Sequence, residues 1–376
     1  MRKVLYLSGT RADFGLMRRT LQAIAADERL ALEIAVTGMH LLPAYGLTVN
    51  EIADDGFAIA GRIETPDSAG SARQMAVNIA RVIEGMGKVI ADSRPDLLVL
   101  LGDRGEMLAG AIAATHENVA IVHIHGGERS GTVDEPVRHA ISKLAHFHFT
   151  STQDARQRLI RMGEREDRVF AVGAPGLDGL EADAVRPRAE LLASLRLDPA
   201  RPVALFVHHP VVQDAGSMAR ETESILAGLF ACGCQIVALK PNSDAGGEHV
   251  HDVLQSASSH PDFRLVTHFP RKDFVSWMSI VDLMIGNSSA GIIEAGSFGT
   301  PVINVGSRQN LRERNPNVTD VVQADESLTS VIGGVLARGR LEPQNLYGDG
   351  ATAPRIAALL ASVPLEPRDL RKFNAY

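Results

Sequence analysis

The sequence predicts an α/β protein of two doubly wound domains that face a cleft, and three observations carry that expectation. Short apolar runs alternate with longer amphipathic segments, the pattern of βα units closing a mostly parallel sheet. The alternation comes in two sets, separated by a stretch rich in charge, alanine and proline from Glu181 to Pro202. At 376 residues the chain is also long for a single core, so two domains are the natural division.

The elements follow in order. Val4 to Leu7 is a continuous apolar run, as expected for a strand covered on both faces. A turn at Ser8-Gly9-Thr10 then leads into a helix through Leu16 to Ala26. Leu32 to Val36, Leu97 to Leu101, Val119 to Ile124 and Phe147 to Thr150 repeat the strand signal, with helical segments between. The second set runs through Val203 to Val207, Gln235 to Leu239, Phe263 to Val266, Leu283 to Ile285 and Pro301 to Val305. The expected domains are therefore 1–180 and 200–355, joined by the charged stretch. Ligands of such sheets bind beyond the carboxyl ends of the strands, where the chemistry-bearing loops are to be sought.

Composition narrows the class. Hydrophobic residues make up 45% and charged residues 22%, ordinary for a soluble globular protein. A formal net charge of −7 argues against nucleic acid or an anionic membrane as partner. No run approaches the roughly 18 apolar residues needed to span a bilayer. Met1-Arg2-Lys3 enters a strand at once, without a cleavable signal pattern. Cys232 and Cys234 are too close in sequence for a good disulfide. A cytoplasmic location is expected.

The most informative stretch is His123-Ile124-His125-Gly126-Gly127-Glu128-Arg129-Ser130-Gly131-Thr132-Val133-Asp134-Glu135. It delivers two imidazoles and three carboxylates on a glycine-rich turn after an apolar run, as an acid–base loop requires. Its glycines are expected to let backbone approach a ligand closely. Gly102-Asp103-Arg104 places another carboxylate directly after a strand, where it either caps the next helix or does chemistry. Gly9-Thr10-Arg11-Ala12-Asp13 is either an anion-binding turn at a helix start or an N-cap with a surface arginine. His208-His209 ends the first strand of the second set, and alternation sends only one of the two toward the cleft. Gly286-Asn287-Ser288-Ser289 is a small-residue turn opening a helix, followed by Glu294 and, beyond the next strand, Arg308. Dinucleotide, P-loop and zinc spacings are all missing, so neither cofactor nor metal is expected.

Taken in order, several motifs resemble one family. They are Gly9-Thr10-Arg11-Ala12-Asp13, Val36-Thr37-Gly38-Met39-His40, Leu101-Gly102-Asp103-Arg104, His123-Ile124-His125-Gly126-Gly127-Glu128, Arg138-His139-Ala140-Ile141-Ser142-Lys143, Gly286-Asn287-Ser288-Ser289 and Tyr347-Gly348-Asp349-Gly350. This set is similar to the hydrolysing UDP-N-acetylglucosamine 2-epimerases. The resemblance implies a GT-B-like pair of Rossmann-like domains, with nucleotide held mainly by the second. It also implies a C-terminal segment, 356–376, crossing back to the first domain, and a homodimer or homotetramer. The implied reaction turns UDP-N-acetylglucosamine and water into UDP and N-acetylmannosamine, feeding sialic or nonulosonic acid synthesis, so a nucleotide sugar and UDP are the expected partners.

The resemblance also assigns roles. Asp103, His125, Glu128, Asp134 and His209 are the expected catalytic residues, with Asp103 and Asp134 at the family's carboxylate positions. Arg11, His40, Arg104, Ser288, Ser289, Glu294 and Arg308 are the expected substrate contacts, Glu294 taking the ribose. One departure stands out: many relatives carry Glu where this chain has His125, so either His125 replaces that group or Glu128 takes over. The same chemistry on UDP-2,4-diacetamido-2,4,6-trideoxyglucose or GDP-GlcNAc is an alternative outcome. A non-hydrolysing epimerase is another, against which the His125-Gly126-Gly127-Glu128 and Arg138-His139-Ala140-Ile141 motifs speak, and a non-catalytic nucleotide-sugar binding module a third, against which Asp103, Glu128 and Asp134 speak.

Overall fold

Leu97-Leu98-Val99-Leu100-Leu101 is apolar throughout because both its faces are covered: it is the central strand of a seven-stranded parallel sheet. The computed structural model describes residues 1–65, 72–130, 134–211, 217–241, 247–366 and 370–375. Its first sheet comprises β1 (Arg2–Ser8), β2 (Leu30–Thr37), β3 (Ile59–Ile63), β4 (Leu97–Leu101), β5 (Ala120–Ile124), β6 (Phe147–Thr150) and β7 (Val169–Ala171), in the order 3-2-1-4-5-6-7. Side chains alternate between two cores. Val4, Tyr6, Leu97 and Val99 pack under the helices Arg11–Ala26 and Thr352–Ser362, while Leu5, Leu7, Leu98 and Leu100 pack on the opposite face with Met86, Met107 and Ile141.

The second sheet comprises β8 (Val203–Val207), β9 (Gln235–Leu239), β10 (Phe263–Val266), β11 (Leu283–Gly286), β12 (Val302–Val305) and β13 (Val318–Val321). Its order is 10-9-8-11-12-13, and every neighbouring pair runs parallel. Ala204 and Phe206 face one core; Val203, Leu205 and Val207 face the other. The chain therefore has the two parallel-sheet α/β units expected of a GT-B-like protein. No helix among the described residues is long and apolar enough to cross a membrane.

Three strands lie outside the sequence expectation: β3, β7 and β13. All three are sheet edges. An edge strand pairs on one side only and is less covered, so Ile59-Ala60-Gly61-Arg62-Ile63 and Val318-Thr319-Asp320-Val321 can carry glycine and charge and lose the continuous apolar signal.

The compact units divide the chain differently from the sequence estimate of 1–180, 200–355 and 356–376. The first gathers Met1–Glu128, Asp134–Asp178 and Tyr347–Tyr376; the second is built mainly from Gly179–Leu346. The stretch read as a connection instead forms the helices Leu180–Asp183 and Arg188–Ser194. Leu191, Leu192 and Leu197 are buried with Val203, Leu205 and Trp277, which makes the stretch part of the second unit. The chain returns at Tyr347, whose carbonyl accepts from the Ala174 amide at 2.8 Å. The Asp178 carboxylate then takes the amides of Thr352 (2.8 Å) and Ala353 and so holds the start of the last helix to the first unit.

In each sheet the strand order reverses at one place, between β1 and β4 and between β8 and β11. The loops beyond these strands are where an open parallel sheet leaves room for a ligand.

Asp178→Ala should lower stability by about 1–2 kcal/mol, the loss of a capping carboxylate with two buried amides. Urea unfolding would show it as a lower midpoint at unchanged slope; an unaltered midpoint would mean the last helix is held by packing alone.

Candidate functional site

At the reversal in the first sheet, the loop after β1 is closed by its own aspartate. Thr10 caps the Arg11–Ala26 helix through a capping box with Asp13, and the Asp13 carboxylate accepts from the amides of Gly9 (3.0 Å) and Thr10 (2.6 Å). Tyr6 (3.2 Å) and Ser8 donate their hydroxyls to the same buried carboxylate. Thr10 is thus an N-cap, and the Gly9 and Thr10 amides are occupied from within; the Arg11 side chain takes no part in the cap. Burial beside Asp13 pushes the Tyr6 phenol well above its usual range. Arg11 pairs with Glu51 at 2.7 Å. His40, expected as a substrate contact, is completely buried and bridges Ser8 (2.9 Å) and Thr48 (2.8 Å), so it braces the loop instead. Burial lowers its pKa.

Asp103 follows β4 and is ion-paired with Arg138, a guanidinium only 1% exposed. Arg138 also donates to the Glu128 carbonyl at 3.1 Å. One buried cation thereby ties Asp103 to the loop after β5. Arg104 pairs with Glu106 at 3.3 Å at the start of the next helix. Within the loop after β5, His125 Nδ1 lies 3.0 Å from the Glu128 carboxylate, which also accepts from the Ser151 hydroxyl at 2.6 Å. Both His125 and Glu128 are buried. His125 adopts φ 65°, a left-handed conformation costly for a residue with a Cβ, and its imidazole is held against Glu128 in that turn. The two glycines that follow serve packing: a Cβ on Gly126 would sit 2.9 Å from the His123 ring, and one on Gly127 would sit 2.4 Å from the Ala155 carbonyl. Asp134 begins the helix Asp134–Leu144, with Glu135 3.4 Å from His139; Gly131 to Val133 lie outside the described residues.

Behind this loop His123 is sealed in the sheet. Its Nε2 meets the Gly102 carbonyl at 2.7 Å, so that nitrogen carries the proton, and Nδ1 accepts from the Ser142 hydroxyl at 3.0 Å. Burial pushes His123 down to about 3 despite that carbonyl, so it stays neutral through the physiological range.

In the second unit Asn287 stitches the two loops at the strand reversal. Its side chain accepts from the His209 amide (2.7 Å) and donates to the His209 carbonyl (2.8 Å), while its own amide reaches the Val207 carbonyl (3.1 Å). Gly286 allows the approach: at φ 131° a Cβ there would stand 2.2 Å from the Val207 carbonyl oxygen. Arg308 Nη1 and Gln309 Nε2 donate to the Asn287 carbonyl at 3.1 and 3.2 Å. Ser288 caps the short helix Ser289–Ile293 by accepting from Ala290. Glu294 follows at its end, buried and paired with Arg271 at 2.5 Å. Of the two adjacent histidines His208 is buried near Glu221 (3.2 Å), and His209 is the partly exposed one.

The first unit thus gathers Asp103, His125 and Glu128 around Arg138, and the second gathers His209, Ser288, Ser289 and Arg308 around Asn287. Arg138, Ser151 and Asn287 went unassigned in the sequence. Arg138 and Asn287 stood inside motifs that carry the family resemblance, and Arg138 also lies four residues after Asp134 on the same helix face; Ser151 offered no signal beyond its place after a strand. Among the described residues no three His, Cys, Asp or Glu side chains gather as a metal set.

The chain matches the UDP-N-acetylglucosamine 2-epimerase family over residues 22–361. It belongs to that family. Across its full length and that of the relative, it is 46% identical over 376 residues to a Legionella pneumophila UDP-N,N'-diacetylbacillosamine 2-epimerase (hydrolyzing). It is 30% identical over 355 residues to a Neisseria meningitidis UDP-N-acetylglucosamine 2-epimerase, covering 94% of this chain and 92% of that one. The fold matches the Neisseria meningitidis UDP-GlcNAc 2-epimerase crystallised with UDP-GlcNAc, with a TM-score of 0.79 at 20% identity, over 95% of this chain and 99% of that one. The protein is thus an epimerase-family enzyme with the family's two-unit fold.

Two outcomes test this site. Arg138→Met should destabilise the protein by about 1–3 kcal/mol, because it leaves the half-buried Asp103 carboxylate and the Glu128 carbonyl without their donor; a loss below about 0.5 kcal/mol in urea unfolding would mean the pair carries little. The second concerns pH. Unfolded, His123 takes a proton near 6.5, whereas folded it resists until about 3. The unfolded chain therefore binds more protons in that window, and stability falls as pH drops from 6.5 toward 3. The urea midpoint should decline over that range, less steeply in His123→Asn; equal slopes would refute the assignment.

Proposed function

We propose that this chain is a hydrolysing 2-epimerase that acts on UDP-2,4-diacetamido-2,4,6-trideoxyglucose, releasing UDP and the corresponding 2,4-diacetamido-2,4,6-trideoxymannose. The observation that carries this reading is 46% identity, across both whole chains, with a hydrolysing enzyme named for that nucleotide sugar. UDP-GlcNAc, the substrate first expected from the motifs, is the second reading, supported by the more distant Neisseria relative.

Chemistry dictates the order of events. The C2 proton is not adjacent to a carbonyl within the ring, so removing it directly is very difficult. Cleavage of the C1–O bond, with its electron pair leaving on UDP, gives C1 oxocarbenium character and acidifies C2–H. A base then takes that proton and a C1–C2 alkene forms. Water adds across it, hydroxyl to C1 and a proton to C2 from the opposite face. The protein must therefore stabilise a departing diphosphate and hold proton carriers near C1 and C2.

The two gathered sets suit these two tasks. For the proton transfers we assign Asp103, Asp134 and His125, with Glu128 orienting the imidazole; the 3.0 Å His125–Glu128 contact supports that pairing. His125 thereby stands in for the Glu of many relatives. For the leaving diphosphate we assign Arg11, His209, Ser288, Ser289 and Arg308, with Glu294 at the ribose. Arg104 is assigned as a sugar contact and His40 as a brace of the loop after β1.

The test incubates the enzyme with UDP-2,4-diacetamido-2,4,6-trideoxyglucose, UDP-GlcNAc and GDP-GlcNAc, following nucleotide release and the free sugar by NMR in D2O. The diacetamido donor should turn over fastest, with stoichiometric UDP and deuterium at C2 of the product. Faster release from UDP-GlcNAc would overturn the substrate choice, and release from none of the three would overturn the epimerase reading. Asp103→Asn should keep UDP binding while reducing turnover by about 10²-fold or more; unchanged turnover would remove Asp103 from the chemistry.

A further inference from the structure

The chain's last described residues, Leu370 to Ala375, end against the first unit, on the side of the Asp134–Leu144 helix away from Asp134. Lys372 is the centre of this contact. Its ammonium donates to the Ser142 carbonyl at 2.8 Å and to the Ala145 carbonyl, and it pairs with Glu164 at 2.6 Å. The two carbonyls are among those a helix leaves unsatisfied at its carboxyl end, where a positive charge is also favoured. Glu164 in turn holds Lys143 (2.7 Å) and His148 (3.1 Å). Further ties run beside it: Lys143 to the Asn374 side chain (2.6 Å), His146 Nε2 to the Leu370 carbonyl (3.1 Å) and the Ala375 amide to the Gly163 carbonyl (2.8 Å). Such a half-buried, many-partnered ammonium is a built contact, whereas a fully exposed surface lysine contributes little.

What this contact holds is the helix that organises the acid–base cluster. Its first residue is Asp134; Arg138, one turn on, binds Asp103 and the Glu128 carbonyl; Ser142, another turn on, binds His123, which reaches the Gly102 carbonyl next to Asp103. The three successive turns of one helix thus touch the proposed chemistry, and the tail caps the last of them.

We propose that Lys372 is a positioning residue for the reaction: the C-terminal tail, by capping the Asp134–Leu144 helix, sets where Asp134 and the Arg138-bound Asp103 stand. The proposal rests on the epimerase reading above. Lys372 touches none of the assigned substrate contacts, so its loss acts on proton transfer and leaves nucleotide binding alone. A displacement well under a helical turn is enough to misplace a proton carrier.

The test uses the full chain carrying Lys372→Met, with Lys372→Arg as the conservative variant. Lys372→Met should lower kcat about tenfold or more, with KM and the UDP dissociation constant within about twofold of the parent. Amide hydrogen exchange across residues 134–144 should quicken, and Lys372→Arg should recover most of the rate. A kcat within about twofold of the parent overturns the proposal. So does a parallel loss of kcat, UDP affinity and thermal midpoint, which marks general destabilisation. Should the parent itself release no nucleotide, the epimerase reading fails and exchange alone decides: unchanged protection of 134–144 in Lys372→Met still refutes the capping role.

Discussion

The buried Arg138 guanidinium is the constraint on which the first unit's site depends. A cation taken out of water is costly unless its surroundings replace the lost hydration, and here Asp103 and the Glu128 carbonyl do so. Those partners come from different strands, β4 and β5, and Arg138 comes from the helix that begins at Asp134. Arg138 therefore does not merely stabilise; it fixes the relative positions of two loops and a helix. In the proposed reaction, side chains that exchange protons at adjacent carbons need that degree of fixity, since catalysis by position is lost with small displacements.

The second unit solves the same problem without a charge. Asn287 carries donor and acceptor on one planar amide and uses both on the backbone of His209, so two loops at the strand reversal become one surface. Arg308 and Gln309 close it from the next loop. In both units the residues assigned to function are only partly those that organise the site. The organisers, Arg138 and Asn287, are buried polar groups whose partners lie inside the protein, the setting in which a hydrogen-bond network is most specific.

Much of this was legible in the sequence. Interior strands declared themselves because a strand covered on both faces must be apolar throughout, as in Val203-Ala204-Leu205-Phe206-Val207. The edges β3, β7 and β13 did not, because half-covered strands tolerate Gly61, Arg62 and Asp320. The helices at 180–194 were masked by charge on their outer faces, while three leucines turned inward. Motif order carried the family, and with it the candidate residues.

The sequence by itself determined the class of fold, the reversal-point loops and the family, since these follow from periodicity and from residue types next to strand ends. Tertiary structure alone decided which polar groups are free to meet a ligand. Gly9 and Thr10 amides look available in sequence but are taken by Asp13; His40 looks exposed but is sealed between Ser8 and Thr48. Lys372 reads as one more charge near a chain end, yet it caps the helix that bears Asp134 and Arg138. The physical reason is common to all three. Burial and hydrogen-bond partnership arise from residues far apart in the chain, such as Lys372 and Ser142, and no local pattern encodes which distant groups will meet.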